Sequence, residues 1–111
     1  MLEIKNEHIQ TIKVDFTNKD AAKTVHNFIG DRPIDILINN AAMFPYNASM
    51  QPLDWDTWLE CLVVNSMQSV NLSLELQDNV AKSEEKKIIG ISSQMGVNSL
   101  TIKRELKGRY G

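Results

Sequence analysis

The sequence predicts an α/β fold built on a parallel sheet, and three observations predict it. Strand-period and helix-period segments alternate along the chain. Four of the five residues from Ile34 to Ile38 are strongly apolar, the make-up of a strand covered on both faces. Three apolar segments also stop at polar side chains, at Asp15, Asn39-Asn40 and Ser92-Ser93. Right-handed crossovers would bring those ends to one edge of the sheet, where open α/β sheets bind ligands. An Asn-Asn pair alone is ordinary turn chemistry, so the ligand reading rests on the three ends together.

The 111 residues bound the answer to one domain, with 42% hydrophobic and 23% charged residues and a formal net charge of -2. These are the proportions of an ordinary globular protein and not of a disordered tail. Lys103, Arg104, Lys107 and Arg109 are scattered rather than clustered, so no nucleic acid partner is expected. No apolar run reaches the length of a membrane span, and Met1 to Lys5 do not read as a signal peptide. A cytoplasmic location with no membrane partner is the expectation. The one cysteine, Cys61, has no companion at metal-ligand spacing and reads as a small core residue, so no metal site is expected.

Ile12, Val14 and Phe16 alternate with Lys13 and Asp15, the period of an edge strand. Thr17, with Asp20 three residues on, is the expected N-cap of a first helix. Ala21, Ala22, Val25, Phe28 and Ile29 form its apolar face, and Gly30 ends it. His26 lies off that stripe and, like His8, reads as a solvated surface histidine. The strand through Ile38 follows the Asp31-Arg32-Pro33 turn. The loop after it carries Met43, Phe44, Tyr46 and Met50, more apolar surface than a solvated connection needs. That loop is expected to pack back on the body, the alternative being an apolar substrate pocket.

Asp54 can cap a second helix running from about Trp55 to about Asn79. One stripe is Leu59, Val63, Met67, Val70 and Leu74; a second is Trp58, Leu62, Leu72 and Leu76. Two apolar sides imply two coverings, by the sheet and by a second subunit. Within this helix Asn65 costs helix propensity and needs a partner for its amide, either structural or functional. Lys82 to Lys87 form a solvated connection. A third strand over Ile88 to Ile91 ends in Ser92-Ser93, and Gln94 to Gly111 reads mostly as loop.

These residues resemble the short-chain dehydrogenase/reductase family over essentially the whole chain. Val14-Asp15-Phe16-Thr17 resembles its strand-end aspartate motif, and Asn39-Asn40-Ala41-Ala42 its N-N-A-G motif with alanine in the last place. Val64-Asn65-Ser66 is similar to the V-N of its long helix, and Ile91-Ser92-Ser93 to its catalytic-serine strand. All four stand in the family's order. The resemblance implies a partial Rossmann-type doubly wound parallel sheet over residues 1–111, three strands alternating with two helices. The first two strands and the C-terminal part of the family fold would be lacking.

It further implies NAD or NADP as cofactor and a small carbonyl or hydroxyl compound as substrate, interconverted by hydride transfer. Asp15 would hydrogen-bond the adenine, and Asn39, Asn40, Ala41 and Ala42 would support the central strand beside the cofactor. Asn65 would be the amide of the catalytic tetrad, holding a water in a proton relay. Ser93 would hydrogen-bond the substrate oxygen. A homo-oligomer of the complete enzyme would form through the long helix.

Two departures qualify this. The family's glycine fingerprint should precede Asp15, yet the first glycine is Gly30, and no tyrosine is followed four residues later by lysine. Gly108-Arg109-Tyr110-Gly111 resembles the stretch just before the Y-x-x-x-K motif in the C-factor-like branch, which would put the catalytic tyrosine directly after Gly111 and exclude Tyr110. The chain alone is therefore expected to be inactive and unstable, aggregated or paired in a non-family register. The alternative is a non-catalytic remnant that pairs subunits through the long helix. A flavodoxin-like regulatory domain would need an acidic cluster and a lysine that are not in evidence.

Overall fold

The computed structural model describes residues 7–44 and 54–93. Among those residues the sheet has two parallel strands, β1 (Ile36–Asn39) and β2 (Lys87–Gly90), with Leu37 opposite Ile88 and Ile38 opposite Ile89. The α/β class and the parallel pairing are as the sequence predicts. The expected first strand differs. Residues 10–15 take no part in a ladder among the described residues, although Phe16 packs against the core. Their alternation records a face, but a strand also needs a neighbouring backbone, and here a trough separates them from β1.

Helix α1 (Ala21–Ile29) buries Ala21 and Ala22 and ends at Gly30, whose positive φ of 65° favours glycine. Its start lies later than Thr17. The Thr17 hydroxyl and backbone N–H both donate to Asp15 Oδ1, at 2.7 and 2.9 Å, so a turn intervenes. Asp20 takes the N-cap position with no side-chain cap bond. At the other end Arg32 donates to the Phe28 and Ile29 carbonyls, satisfying two groups of the last turn.

The second helical stretch is longer than expected and not uniform. It comprises α2 (Trp55–Leu62), a π-helical turn over Val63–Met67, α3 (Gln68–Glu75) and the short α4 (Gln77–Ala81). Asp54 caps α2 as predicted, accepting from the Thr57 N–H and hydroxyl. The core lies where α1 and α3 cross beneath the sheet. Ala22, Leu72 and Leu76 are buried there, with Phe16, Val25, Ile29, Ile34 and Leu37 packed around them. Cys61 is fully buried, as a small core residue should be, and burial pushes its thiol pKa up, with the Glu60 charge adding to it.

Three contacts fasten these parts. Asn79, 2% exposed, donates to the Gly30 and Arg32 carbonyls, while its own carbonyl accepts from Ile34 N–H. That holds the α1–β1 connection onto α4. His26 corrects the expectation of a solvated histidine: half-buried, it meets Glu75 at 2.9 Å and ties α1 to α3. Gln68 is buried and donates to the Asn18 carbonyl. Of the two helix stripes, Leu72 and Leu76 are buried, whereas Leu59, Met67, Val70 and Leu74 are each more than half exposed. The expected second covering is not supplied by the described residues.

Candidate functional site

The site is built where β1 and β2 end. Asn39 closes β1, and its carbonyl still accepts from Ile91 N–H at 3.0 Å, so the two chains leave the sheet side by side. The Asn39 amide donates to Ser73 Oγ at 3.0 Å, and that hydroxyl donates to the Ser69 carbonyl at 2.7 Å. Asn39 is thus pinned to α3. Residues 40–44 then run over the π-helical turn.

There Asn65 answers the question its sequence raises. Its Oδ1 accepts from Met43 N–H at 2.7 Å and its Nδ2 donates to the Met43 carbonyl at 3.0 Å. One amide side chain stands in for a strand partner of Met43. An amide has two donors and two lone pairs, so one of each remains for another group, including a water. The Met43 and Phe44 side chains are half-buried, in keeping with a loop that packs back; Tyr46 and Met50 lie outside the described residues.

A cavity of about 570 Å³ opens at this edge, lined by Asn39 to Ala42, Asn65, Ser69 and Gly90 to Ser93. The structure therefore gathers Asn39, Asn40, Ala41, Ala42, Asn65 and Ser93 around one space. Asp15 does not line it; Phe16, next in sequence, lines an adjoining recess that shares Asn39, Asn40 and Ala41. The Asp15 carboxylate is engaged by Thr17, whose hydroxyl and then N–H hold its pKa below the ordinary value. The cavity lining carries amides, hydroxyls and small apolar groups and no charged side chain. That chemistry orients neutral polar groups such as a carboxamide, a sugar hydroxyl or a carbonyl. Among the described residues no cluster of three or more His, Cys, Asp or Glu is placed to hold a metal.

Ser69 and Ser73 were not singled out by the sequence reasoning. The signal was present, since Asn65, Ser69 and Ser73 recur at four-residue spacing and so make a polar stripe between two apolar ones. No helix of the described residues is long and apolar enough to cross a membrane.

The family model described as short chain dehydrogenase matches residues 1–103. Among solved structures, the fold is similar to a carbonyl reductase from Pseudomonas aeruginosa PAO1, with a TM-score of 0.65 and 24% identity. That match covers 86% of this chain and 43% of the other. A second structure of a carbonyl reductase from the same organism, in complex with NADP, has a TM-score of 0.64 and 22% identity, covering 89% of this chain and 44% of the other. The chain thus spans less than half the length of the structures it resembles. Among functionally curated proteins none matches.

Proposed function

The chain belongs to the short chain dehydrogenase family, and from that premise we propose that it forms the central part of an NAD(P)-dependent oxidoreductase interconverting a carbonyl and an alcohol. The observation that carries this reading is the convergence of Asn39 to Ala42, Asn65 and Ser93 on one uncharged crevice at the carboxyl ends of parallel strands. The neighbour in complex with NADP supports the cofactor class.

The residues fit the carboxamide and ribose portion of such a cofactor. When bound, the cofactor supplies or accepts the hydride. Ala41 and Ala42 keep side chains short where it approaches, and Asn39 is held in place by Ser73. Ser93 Oγ–H donates to the substrate oxygen and stabilises charge developing there. Asn65 fixes the Met43 backbone over the crevice and keeps one donor and one acceptor site for a relay water. On this reading Asp15, outside the crevice, hydrogen-bonds the adenine.

The chain by itself is inactive on this reading, because no tyrosine stands four residues before a lysine to exchange the proton. A second reading, a non-catalytic remnant that pairs subunits through the long helix, is favoured by the exposed stripe Leu59, Met67, Val70 and Leu74. The two readings part on one experiment. Extended upstream with the glycine fingerprint and downstream with Y-x-x-x-K, the protein gains NAD(P)H-dependent carbonyl reduction, and Ser93→Ala lowers it by roughly 100-fold or more. If the extended protein folds and binds NADPH yet reduces no carbonyl, or Ser93→Ala leaves the rate unchanged, the enzyme reading is wrong.

A further inference from the structure

Ser69 and Ser73 stand one turn apart on α3, and the hydrogen bonds they make run in one direction. Ser73 Oγ gives its proton to the Ser69 carbonyl, four residues back, at 2.7 Å. A serine hydroxyl has a single proton, so Ser73 has only lone pairs left for a second partner. That partner is Asn39, whose Nδ2 donates to Ser73 Oγ at 3.0 Å.

This run of bonds fixes which way round the Asn39 amide lies. The nitrogen and oxygen of an amide are alike in shape, and only the network around them tells the two apart. Turned over, the amide would offer Oδ1 to Ser73, which could meet it only by taking its proton away from the Ser69 carbonyl. Two hydrogen bonds would become one. With Nδ2 held by Ser73, Oδ1 lies on the other side of the amide, where it accepts no hydrogen bond among the described residues and is not sealed from solvent. Asn39 and Ser69 both line the crevice and the recess that adjoins it.

We propose that Ser73 is a positioning residue of the crevice, orienting the Asn39 amide so that its oxygen is the atom offered to a bound molecule. Beside Asn39 the crevice therefore takes a group with a proton to donate, a sugar hydroxyl or a carboxamide N–H. It turns away a bare carbonyl or an ester there, because an acceptor set against Oδ1 leaves both oxygens without a proton between them. The carbonyl oxygen of a substrate is left to Ser93 at the end of the other strand. This assignment rests on the crevice being the cofactor and substrate site.

The test uses the isotope-labelled full chain, with Ser73→Ala and with Ser73→Thr, which keeps the hydroxyl. The Asn39 Nδ2 protons should exchange about tenfold faster in Ser73→Ala and at the original rate in Ser73→Thr, with Leu76 N–H unchanged in both. Three probes then read the polarity of the site. Nicotinamide and ribose carry donors of two kinds, and methyl nicotinate is an ester of similar shape with none. Nicotinamide or ribose, whichever supplies the donor, should shift the Asn39 side-chain resonances saturably, and methyl nicotinate should not. In Ser73→Ala the amide is free to turn, and the preference for the donor probe should fall by about tenfold. The measurements on the unaltered chain stand even where the alanine variant does not fold. Unprotected Asn39 Nδ2 protons, equal exchange in Ser73→Ala, or an ester that shifts Asn39 as strongly as the donor probes would overturn the proposal. So would silence from all three probes. None of these outcomes turns on carbonyl reduction, which tests the enzyme reading separately.

Discussion

Asn65 and Met43 are joined twice, through a 2.7 Å bond accepted by Asn65 Oδ1 from the Met43 N–H and a 3.0 Å bond donated by Nδ2 to the Met43 carbonyl. The pair closes a link of 22 residues between the end of β1 and the π-helical turn. A π turn adds one residue to the helical repeat and re-aims the side chains within it, the kind of irregularity found at functional sites. Here it delivers an amide to a backbone that has left its sheet.

Replacing Asn65 by Ala removes both bonds, each worth about 1 kcal/mol. Amide exchange at Met43 should accelerate by roughly 30-fold, the equivalent of about 2 kcal/mol, with little change at Leu76. Asn65→Asp should be worse, since a carboxylate would face the Met43 carbonyl oxygen with no proton to donate. Equal exchange at Met43 in all three proteins would remove Asn65 as the anchor of this loop.

Asn79 is the counterpart at the other end of β1, where its carbonyl accepts from Ile34 N–H. Its buried amide donates to two carbonyls, at 2.7 Å to Gly30 and 2.8 Å to Arg32. Asn79→Ala leaves both without their partner and should cost about 2 kcal/mol or more in urea unfolding. Asn79→Leu, similar in size but apolar, should not rescue it; full rescue would mean that packing rather than hydrogen bonding holds the α1–β1 connection.

Asp54 gives a pH dependence with a definite sign. The Thr57 hydroxyl and then its N–H hold the Asp54 carboxyl below its ordinary value of 3.8. A folded-state pKa lower than the unfolded one contributes stability that is present above the unfolded value and lost as pH falls through the folded one. The first turn of α2 should therefore loosen only below pH 3.8. The carboxyl resonance of Asp54 should titrate below that value, and Thr57→Ala should move it back up. An unmoved titration in Thr57→Ala would break the assignment of the cap.

Much of this was legible in order along the chain. The apolar period of α1, the cap at Asp54 and the stop at Gly30 are local, because a helix is decided by residues three and four apart. The polar ends Asn39-Asn40 and Ser92-Ser93 were legible for the same reason, each marking where a strand leaves the sheet. Thr17 misled, because its hydroxyl had two candidate partners, the helix it precedes and the Asp15 carboxylate behind it, and the nearer anion won. The period-two pattern of Ile12, Val14 and Phe16 described a strand's faces without supplying the neighbour that a strand requires.

By itself the sequence determined the α/β class, the positions of the helices, the polar strand ends and, through four short motifs, the family. Only the tertiary structure decided that Asn65 is taken by Met43, that Ser73 pins Asn39, that His26 meets Glu75, and that Leu59, Met67, Val70 and Leu74 stay uncovered. Periodicity records which residues share a face. It holds no information about which surface, 22 to 49 residues away, comes to lie against that face. That choice is made when the whole set of apolar faces and unpaired backbone groups is satisfied together, and among the described residues the edge of β1 away from β2 carries no further strand.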